Sequence, residues 1–382
     1  MKTIEEINRK IAEKKAVVVR ADEIAELVKE EGFANAARKV DVVTTATFSP
    51  MCSSGAFLNF GHATPGVKIA KTFLNDVEAY SGLAAVDAYI GATQPSRKQG
   101  TRYGGAHVIC DLVAGKPVRL EAEGTPTDCY PGKRVSTIIH KHDINEATLF
   151  NPRNVYQNYN AATNSSSRKL LTYMGTLHPH YQNITYATSG RLSPLFVDPC
   201  LRTIGIGTRV FLGGAHGFVA WNGTQYQVGS ELSGDIPVSP ARTLALIGNL
   251  KQMDCRFLRP AVIQGYGVSL FVGVGIPIPI LDEEQFRLAC VENDQIFTKI
   301  VDYASPDHPE VARLSYAQLR SGKAPLQGKM VRTSPLSSLK KAQEIAGVLQ
   351  EQLRAGSFLL TSPVQPLPDG PEKIKSMPRM EG

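Results

Sequence analysis

The chain has 382 residues, and its hydrophobic fraction of 42% and charged fraction of 20% are ordinary for a soluble globular protein with a sizeable core. No apolar run approaches the roughly 18 residues needed to span a bilayer, and the charged N-terminus lacks the apolar segment of a secretory signal, so we expect a cytoplasmic protein. The net charge of +7 is scattered, without a basic stripe containing aromatic residues, so we expect neither nucleic acid nor membrane as a partner.

Hydrophobic periodicity predicts helices at the N-terminus, strands in the middle and helices again near the C-terminus. Apolar residues recur at helical spacing within residues 1–39, and a β-rich run at 40–47 ends at Ser49 and Pro50. Further strands are predicted at residues 84–91, 106–113, 118–123, 135–140, 204–231 and 258–280, and further helices at residues 283–291 and 336–353.

The fold class that follows is mixed α/β (α+β), with a β-rich central region and helices at the N- and C-terminal ends. Residues 145–183 are dense in Asn, Tyr, Ser and Thr, and their tyrosines argue for an ordered polar surface over disorder. We expect residues 1–360 to form the folded, catalytic region, as one unit or two subdomains. The Pro- and Lys-rich residues 361–382 are predicted to be a flexible tail.

Six cysteines are the most informative residues of the chain, and they are Cys52, Cys110, Cys129, Cys200, Cys255 and Cys290. The closest pair in sequence is separated by 19 residues, so no Cys-x-x-Cys pair of the zinc, cluster-binding or thioredoxin kind is present. In a large cytoplasmic chain a disulfide framework is also disfavoured. Free thiols without a metal site are therefore expected.

Two of these cysteines, Cys52 and Cys129, lie in turn-like segments and not in apolar runs. Cys52 follows a predicted strand, and residues 53–55 would offer backbone donors to a thiolate if a helix began there. Cys129 is followed by Lys133 and Arg134, whose charges would favour the thiolate if they folded back. From the residues alone, each thiol is as compatible with packing under a turn as with reactivity.

Several segments together resemble the homocysteine biosynthesis family. They are residues 49–55 (SPMCSSG), 128–131 (DCYP), 150–159 (FNPRNVYQNY), 173–177 (YMGTL), 192–195 (LSPL) and 205–214 (GIGTRVFLGG). The resemblance covers roughly residues 15–360 and is to the form without the C-terminal CBS domains that some members carry. It implies an L-aspartate semialdehyde sulfurtransferase of homocysteine and methionine biosynthesis, as found in anaerobic archaea and bacteria.

The resemblance also implies a mechanism based on a cysteine persulfide. Its terminal sulfur attacks the aldehyde of L-aspartate semialdehyde, and a thioaldehyde-level intermediate is then reduced by two electrons to homocysteine. We expect Cys129 to carry the persulfide. Cys52 would be the second thiol, which attacks the persulfide to release sulfide or closes a disulfide with Cys129. The motifs mark both thiols without ordering the two roles.

Substrate and partners follow from the same resemblance. The substrate carboxylate calls for an arginine, and Arg153 is the first candidate; Asn154, Asn158 and Tyr173 would orient the ammonium or polarise the aldehyde. The chain itself is expected to bind no cofactor, and the electrons would come from a separate small ferredoxin-like iron–sulfur protein. Sulfide or a sulfane sulfur supplies the sulfur, and a homo-oligomer is compatible with the family.

Two alternative functions remain open on the sequence. One is a cysteine-dependent insertion of sulfur into another substrate, which would show a persulfide without homocysteine formation from L-aspartate semialdehyde. The other is a non-enzymatic persulfide carrier that hands sulfur to a partner protein and turns over no small substrate. Both alternatives keep the cysteine chemistry and change what receives the sulfur.

Overall fold

The computed structural model describes residues 1–227, 231–368, 375, 377 and 378. Over these residues the α-helices are α1 (Ile4–Ala12), α2 (Ile24–Glu31), α3 (Phe33–Lys39), α4 (Gly105–Val113), α5 (Pro194–Val197), α6 (Glu283–Ala289), α7 (Tyr316–Arg320) and α8 (Leu339–Arg354). Short 3-10 helices are Gly190–Leu192 and Leu250–Gln252.

The first half of the chain contains the strands β1 (Val18–Arg20), β2 (Val42–Pro50), β3 (Gly55–Asn59), β4 (Ile69–Leu74), β5 (Val77–Ala79), β6 (Asp87–Gly91), β7 (Pro95–Ser96), β8 (Gly100–Gly104), β9 (Val118–Gly124), β10 (Arg134–Ile139), β11 (Glu146–Asn154), β12 (Ala161–Thr163), β13 (Leu170–Thr172), β14 (Gly175–Leu177) and β15 (Asn183–Tyr186). The second half contains β16 (Gly205–Ile206), β17 (Arg209–Leu212), β18 (Ala215–Asn222), β19 (Leu232–Ser233), β20 (Ile236–Pro237), β21 (Leu244–Asn249), β22 (Leu258–Ile263), β23 (Gly267–Pro279), β24 (Phe297–Asp302), β25 (Glu310–Ser315), β26 (Lys323–Leu326), β27 (Lys329–Pro335) and β28 (Gln365–Pro366).

The mixed α/β class predicted from the sequence is confirmed, with a strand-rich centre and helices at both ends. One element was wrong: residues 106–113, predicted as a strand, belong to the helix α4. Most of this helix is buried, including Ala106, Val108 and Ile109, and its only polar side chains are His107 and Asp111. A short, mainly apolar run does not distinguish a buried strand from a buried helix.

The largest sheet has the strand order β1-β2-β23-β17-β18-β21-β11-β3-β6, with β22 paired to the outer part of β23. Its longest antiparallel pair joins β2 to β23, from Val42 opposite Pro279 to Pro50 opposite Phe271. Nearly all of β2 is buried, because the sheet is covered on both faces. A continuous apolar and Thr-rich strand is the sequence pattern expected for such a position.

Helix α8 lies directly on this pair of strands. A side chain at Gly273 would stand 2.8 Å from Ile345, and one at Gly275 would stand 3.2 Å from Leu349. The two glycines therefore let fully buried Ile345 and Leu349 touch the sheet backbone. Burial of each of these side chains contributes about 1.5–3 kcal/mol to folding, so α8 is firmly held.

Two six-stranded sheets flank the large one. The first has the order β10-β9-β4-β5-β7-β8, and the second has the order β25-β24-β12-β15-β27-β26. The second sheet has its own hydrophobic cluster, which includes Ile184, Ile300 and Tyr316. The segment between β11 and β12 connects it to the large sheet. This segment and the hairpin of β13 and β14 bring polar aromatic residues to the end of β2.

The predicted tail, residues 361–382, falls partly outside the described residues. Its described part includes β28, which pairs with β16; residues 369–374, 376 and 379–382 lie outside the description. Among the described residues, no helix combines the length and the apolar character needed to cross a bilayer.

Candidate active site

A cavity of about 280 Å³ lies at the end of β2. It is formed where the large sheet meets the β11–β12 segment and the β13–β14 hairpin. Its lining residues are Thr47, Ser49, Pro50, Met51, Cys52, Ser53, Arg153, Val155, Tyr156, Tyr159, Tyr173, Met174, Ala187, Thr188, Ser193, Gln225, Tyr266 and Leu336. Three of the six predicted site residues are among them, namely Cys52, Arg153 and Tyr173.

Cys52 lies in a tight turn between β2 and β3. The Ser54 hydroxyl donates to the Met51 carbonyl at 2.7 Å, and the buried Asn151 amide donates to the Ser54 hydroxyl at 2.7 Å. A helix start after Cys52, which the sequence left open, is excluded because Gly55 begins the strand β3. The thiol is instead held by a turn whose polar groups are bonded within the large sheet.

The Cys52 thiol faces hydroxyl groups. Its Sγ is 3.1 Å from the Oγ of fully buried Ser269 on β23, and the Tyr266 side chain lies beside it in the cavity. Burial raises the pKa of Tyr266, and the neighbouring Cys52 raises it further. Tyr266 therefore remains a neutral donor beside the sulfur.

Arg153 gives the cavity its positive charge. It is the one charged side chain among the described lining residues, and no ion pair to a carboxylate is recorded for it in the described part of the chain. Burial raises the pKa of Tyr156 to about 12, while the Arg153 charge acts in the opposite direction on Tyr156 and Tyr266. A cation placed this way is available to an anionic group of a ligand.

Tyrosine rings form one wall of the cavity. The Tyr156 and Tyr159 rings meet edge to face with centroids 4.7 Å apart, and the Tyr173 and Tyr266 rings are 5.8 Å apart. The sequence analysis singled out only Tyr173. Tyr156 and Tyr159 could have been predicted, because they belong to the 150–159 motif. Tyr266 lies on a hairpin that is distant in sequence, and no local pattern indicates it.

Asn154 and Asn158, predicted to contact substrate, are completely buried and do not line the cavity. The Asn158 side-chain amide donates to the backbone carbonyls of Pro237 and Phe297. The side-chain oxygen of Asn154 accepts a hydrogen bond from the backbone N–H of Val155 at 2.7 Å. Val155 has a φ of 54°, a strained value for a β-branched residue. Both asparagines thus lie behind the cavity wall, where their hydrogen bonds hold the backbone of the β11–β12 segment that contributes Tyr156 and Tyr159.

Cys129 is exposed and lies in the turn between β9 and β10, in a different sheet. The turn is closed by backbone hydrogen bonds between Thr127 and Tyr130. Arg134, expected to fold back over the thiol, pairs with Glu123 at 3.3 Å. Cys129 is not one of the lining residues, so the structure does not bring it into the cavity with Cys52.

Desolvation disfavours the thiolate of the other four cysteines, including Cys200 and Cys255, which are exposed. Desolvation is the largest cause of the raised pKa of Cys110, Cys200 and Cys255, and it raises the pKa of Cys290 to about 11. A thiol that stays protonated is a poor nucleophile.

The cavity combines one accessible thiol, one cation and several hydroxyl donors. No carboxylate, imidazole or lysine is among its described lining residues.

Known proteins resemble this chain over nearly its whole length. A relative from Methanosarcina acetivorans, named L-aspartate semialdehyde sulfurtransferase, is 51% identical over 368 residues, which cover 96% of this chain and 72% of the relative. A relative of the same name from Methanocaldococcus jannaschii is 48% identical over 384 residues, covering 96% of this chain and 73% of the relative. A third, from Methanothermobacter thermautotrophicus, is described as an uncharacterized protein and is 28% identical over 333 residues, covering 84% and 72%.

No solved structure matches the chain. Residues 16–360 match the family described as homocysteine biosynthesis enzyme, sulfur-incorporation. The resemblance noted in the sequence is therefore confirmed, on a match that includes both Cys52 and the tyrosine wall. The chain belongs to this family of enzymes that incorporate sulfur in homocysteine biosynthesis.

Proposed function

We propose that this chain is a sulfurtransferase that converts L-aspartate semialdehyde to homocysteine through a persulfide on Cys52. The observation that carries the proposal is the presence of the Cys52 thiol and the Arg153 guanidinium in one cavity. The substrate is taken from the names of the two relatives that are about half identical to this chain. The sequence analysis gave the persulfide to Cys129; the cavity favours Cys52 for the step that touches substrate.

The proposed reaction balances in sulfur, electrons and protons. A sulfane sulfur donor first transfers one sulfur atom to the Cys52 thiol and gives the persulfide. The terminal sulfur attacks the aldehyde carbon and forms a carbon–sulfur bond, and the aldehyde oxygen becomes a hydroxyl. Two electrons and two protons then cleave the sulfur–sulfur bond, which restores the thiol. Loss of water gives a thioaldehyde, and two further electrons and two protons yield homocysteine.

The cavity offers a partner for each substrate group. Arg153 would bind the carboxylate in a bidentate manner. Tyr266, which lies beside Cys52, would donate to the aldehyde oxygen as negative charge develops there. The described lining has no carboxylate for the ammonium, so the ammonium would rest on tyrosine faces, Tyr156 and Tyr173 being the candidates.

Cys129 remains the predicted second thiol. Because it is exposed on a hairpin tip, it would reach the cavity only by movement of that hairpin. The Cys129 thiol could cleave the sulfur–sulfur bond of the adduct between Cys52 persulfide and substrate in place of an external reductant. A Cys52–Cys129 disulfide would then form, and two electrons would reduce it later. We propose a small iron–sulfur protein as the electron source, as the resemblance implies.

The test is homocysteine formation from L-aspartate semialdehyde, a sulfane sulfur donor and a low-potential reductant. Cys52→Ser should abolish both the persulfide, read as the mass of one added sulfur atom, and the product. Cys129→Ser should keep the persulfide and slow turnover. Cys200→Ser, an exposed thiol outside the cavity, is the matched control and should behave as the unaltered protein.

The same assay separates the alternatives. Product formation by Cys52→Ser at the unaltered rate would overturn the role of Cys52. Persulfide on Cys52 without homocysteine would favour insertion of sulfur into another substrate. Transfer of that sulfur to a partner protein without turnover of any small molecule would favour the carrier.

A further inference from the structure

Three tyrosine hydroxyls meet beside the cavity, and we call Tyr159, Tyr173 and Tyr303 the tyrosine cluster. The Tyr173 hydroxyl is hydrogen-bonded to those of Tyr159 and Tyr303, the latter at 2.7 Å. The Tyr303 hydroxyl also interacts with that of Tyr159. The three residues come from the β11–β12 segment, the β13–β14 hairpin and the loop after β24, so their meeting depends on tertiary structure.

The tyrosine cluster runs from the cavity to the protein surface. Tyr159 and Tyr173 line the cavity, whereas Tyr303 does not. On its other side the Tyr303 ring stacks on the imidazole of His308, with centroids 4.2 Å apart and an angle of 13° between the planes. His308 is exposed to solvent. The three hydroxyls thus form a hydrogen-bonded chain that begins in the cavity, and the Tyr303 ring at its other end lies against a solvent-exposed imidazole.

The proposed reaction consumes protons in a cavity that has few sources of them. No carboxyl, imidazole or ammonium group is among the described lining residues. Burial raises the pKa of Tyr159 and of Tyr303, so neither phenol can persist as a phenolate near neutral pH. A tyrosine that gives a proton to substrate must therefore receive another at nearly the same moment, which a chain of hydrogen-bonded hydroxyls allows.

We propose that the tyrosine cluster is a proton relay for the reductive steps, with half-buried Tyr303 as the outer residue that receives protons from solvent and passes them inward. In each transfer, every hydroxyl donates one proton toward the cavity and accepts one from its outer side. One proton is delivered to the substrate, and the three tyrosines remain neutral. The inference rests on the proposed function, because it needs a reaction that takes up protons.

The test compares Tyr303→Phe with Tyr186→Phe. Tyr186 lies in the same six-stranded sheet, on β15, and its hydroxyl is not part of the cluster, so it receives the same chemical change without breaking the path. In Tyr303→Phe the rate of homocysteine formation from preloaded persulfide should fall by about tenfold or more. Persulfide loading and the KM for L-aspartate semialdehyde should stay within about twofold of the unaltered protein.

Chemical rescue distinguishes proton delivery from structural support. Added imidazole buffer at constant pH should raise the rate of Tyr303→Phe severalfold and leave Tyr186→Phe unchanged. An unaltered rate in Tyr303→Phe would overturn the relay, as would a loss that lowers persulfide loading equally and is not rescued. Absence of homocysteine with the unaltered protein would instead overturn the proposed function, and the relay with it.

Discussion

The turn at Cys52 and the turn at Cys129 look alike in sequence, since each places a cysteine among Ser, Thr, Gly and Pro after a strand. In the fold they differ in every respect that matters to chemistry. Cys52 is half-buried, contacts Ser269 and lines a cavity. Cys129 is exposed at the tip of a hairpin in another sheet. Local sequence therefore marks a thiol as a candidate, and the surrounding sheet decides what the thiol can reach.

The largest expected difference concerns two arginines, one that lines the Cys52 cavity and one beside the Cys129 turn. Arg153→Gln removes the cation of the cavity, and with it the charged partner that we propose for the carboxylate of the substrate. We expect kcat/KM for L-aspartate semialdehyde to fall about a hundredfold, which corresponds to about 3 kcal/mol. Arg134→Gln, which alters the Cys129 hairpin at its ion pair with Glu123, should change kcat/KM by less than about twofold. Equal losses in the two variants would contradict the distinction between the turns.

The second difference concerns stability. Asn151→Ala removes the amide that donates to the Ser54 hydroxyl and the carbonyl that accepts from the Arg153 amide, in a fully buried position. The free energy of unfolding should fall by about 2–3 kcal/mol. Thr127→Ala removes an exposed hydrogen bond from the Cys129 turn and should cost less than about 0.5 kcal/mol. Urea denaturation measures both, and a larger loss for Thr127→Ala would reverse the ranking.

The smallest expected effect is a difference in how well bound substrate protects the two thiols against alkylation. If substrate occupies the cavity, L-aspartate semialdehyde at saturating concentration should slow alkylation of Cys52 by about fivefold and leave alkylation of exposed Cys129 unchanged. Peptide mapping by mass spectrometry after timed treatment with iodoacetamide gives both rates in one sample. Arg153→Gln should lose the protection. Protection of Cys129 in place of Cys52 would restore Cys129 as the thiol nearest substrate.

The sequence predicted the parts of the site that depend on neighbouring residues. The strand that ends before Cys52 and the polar aromatic segment around Arg153 are both in place. What local sequence could not give is the far side of the cavity. Ser269 and Tyr266 reach Cys52 only because β23 pairs with β2 along nine residues of each strand. Such pairing between distant strands leaves no local pattern. The helix α4 was mistaken for a strand for a different reason, because a short buried run has the same apolar composition in either element.

The cavity also depends on the start of α8. Ser49 on β2 hydrogen-bonds Ser337, which is 288 residues further along the chain, and Leu336 lines the cavity beside it. During synthesis, residues 336 and 337 must therefore have emerged from the ribosome before this wall of the cavity can form. A growing chain carries Cys52 without the environment that would direct its sulfur chemistry. Cys52 and the rest of the cavity wall come together only when α8 docks against Gly273 and Gly275.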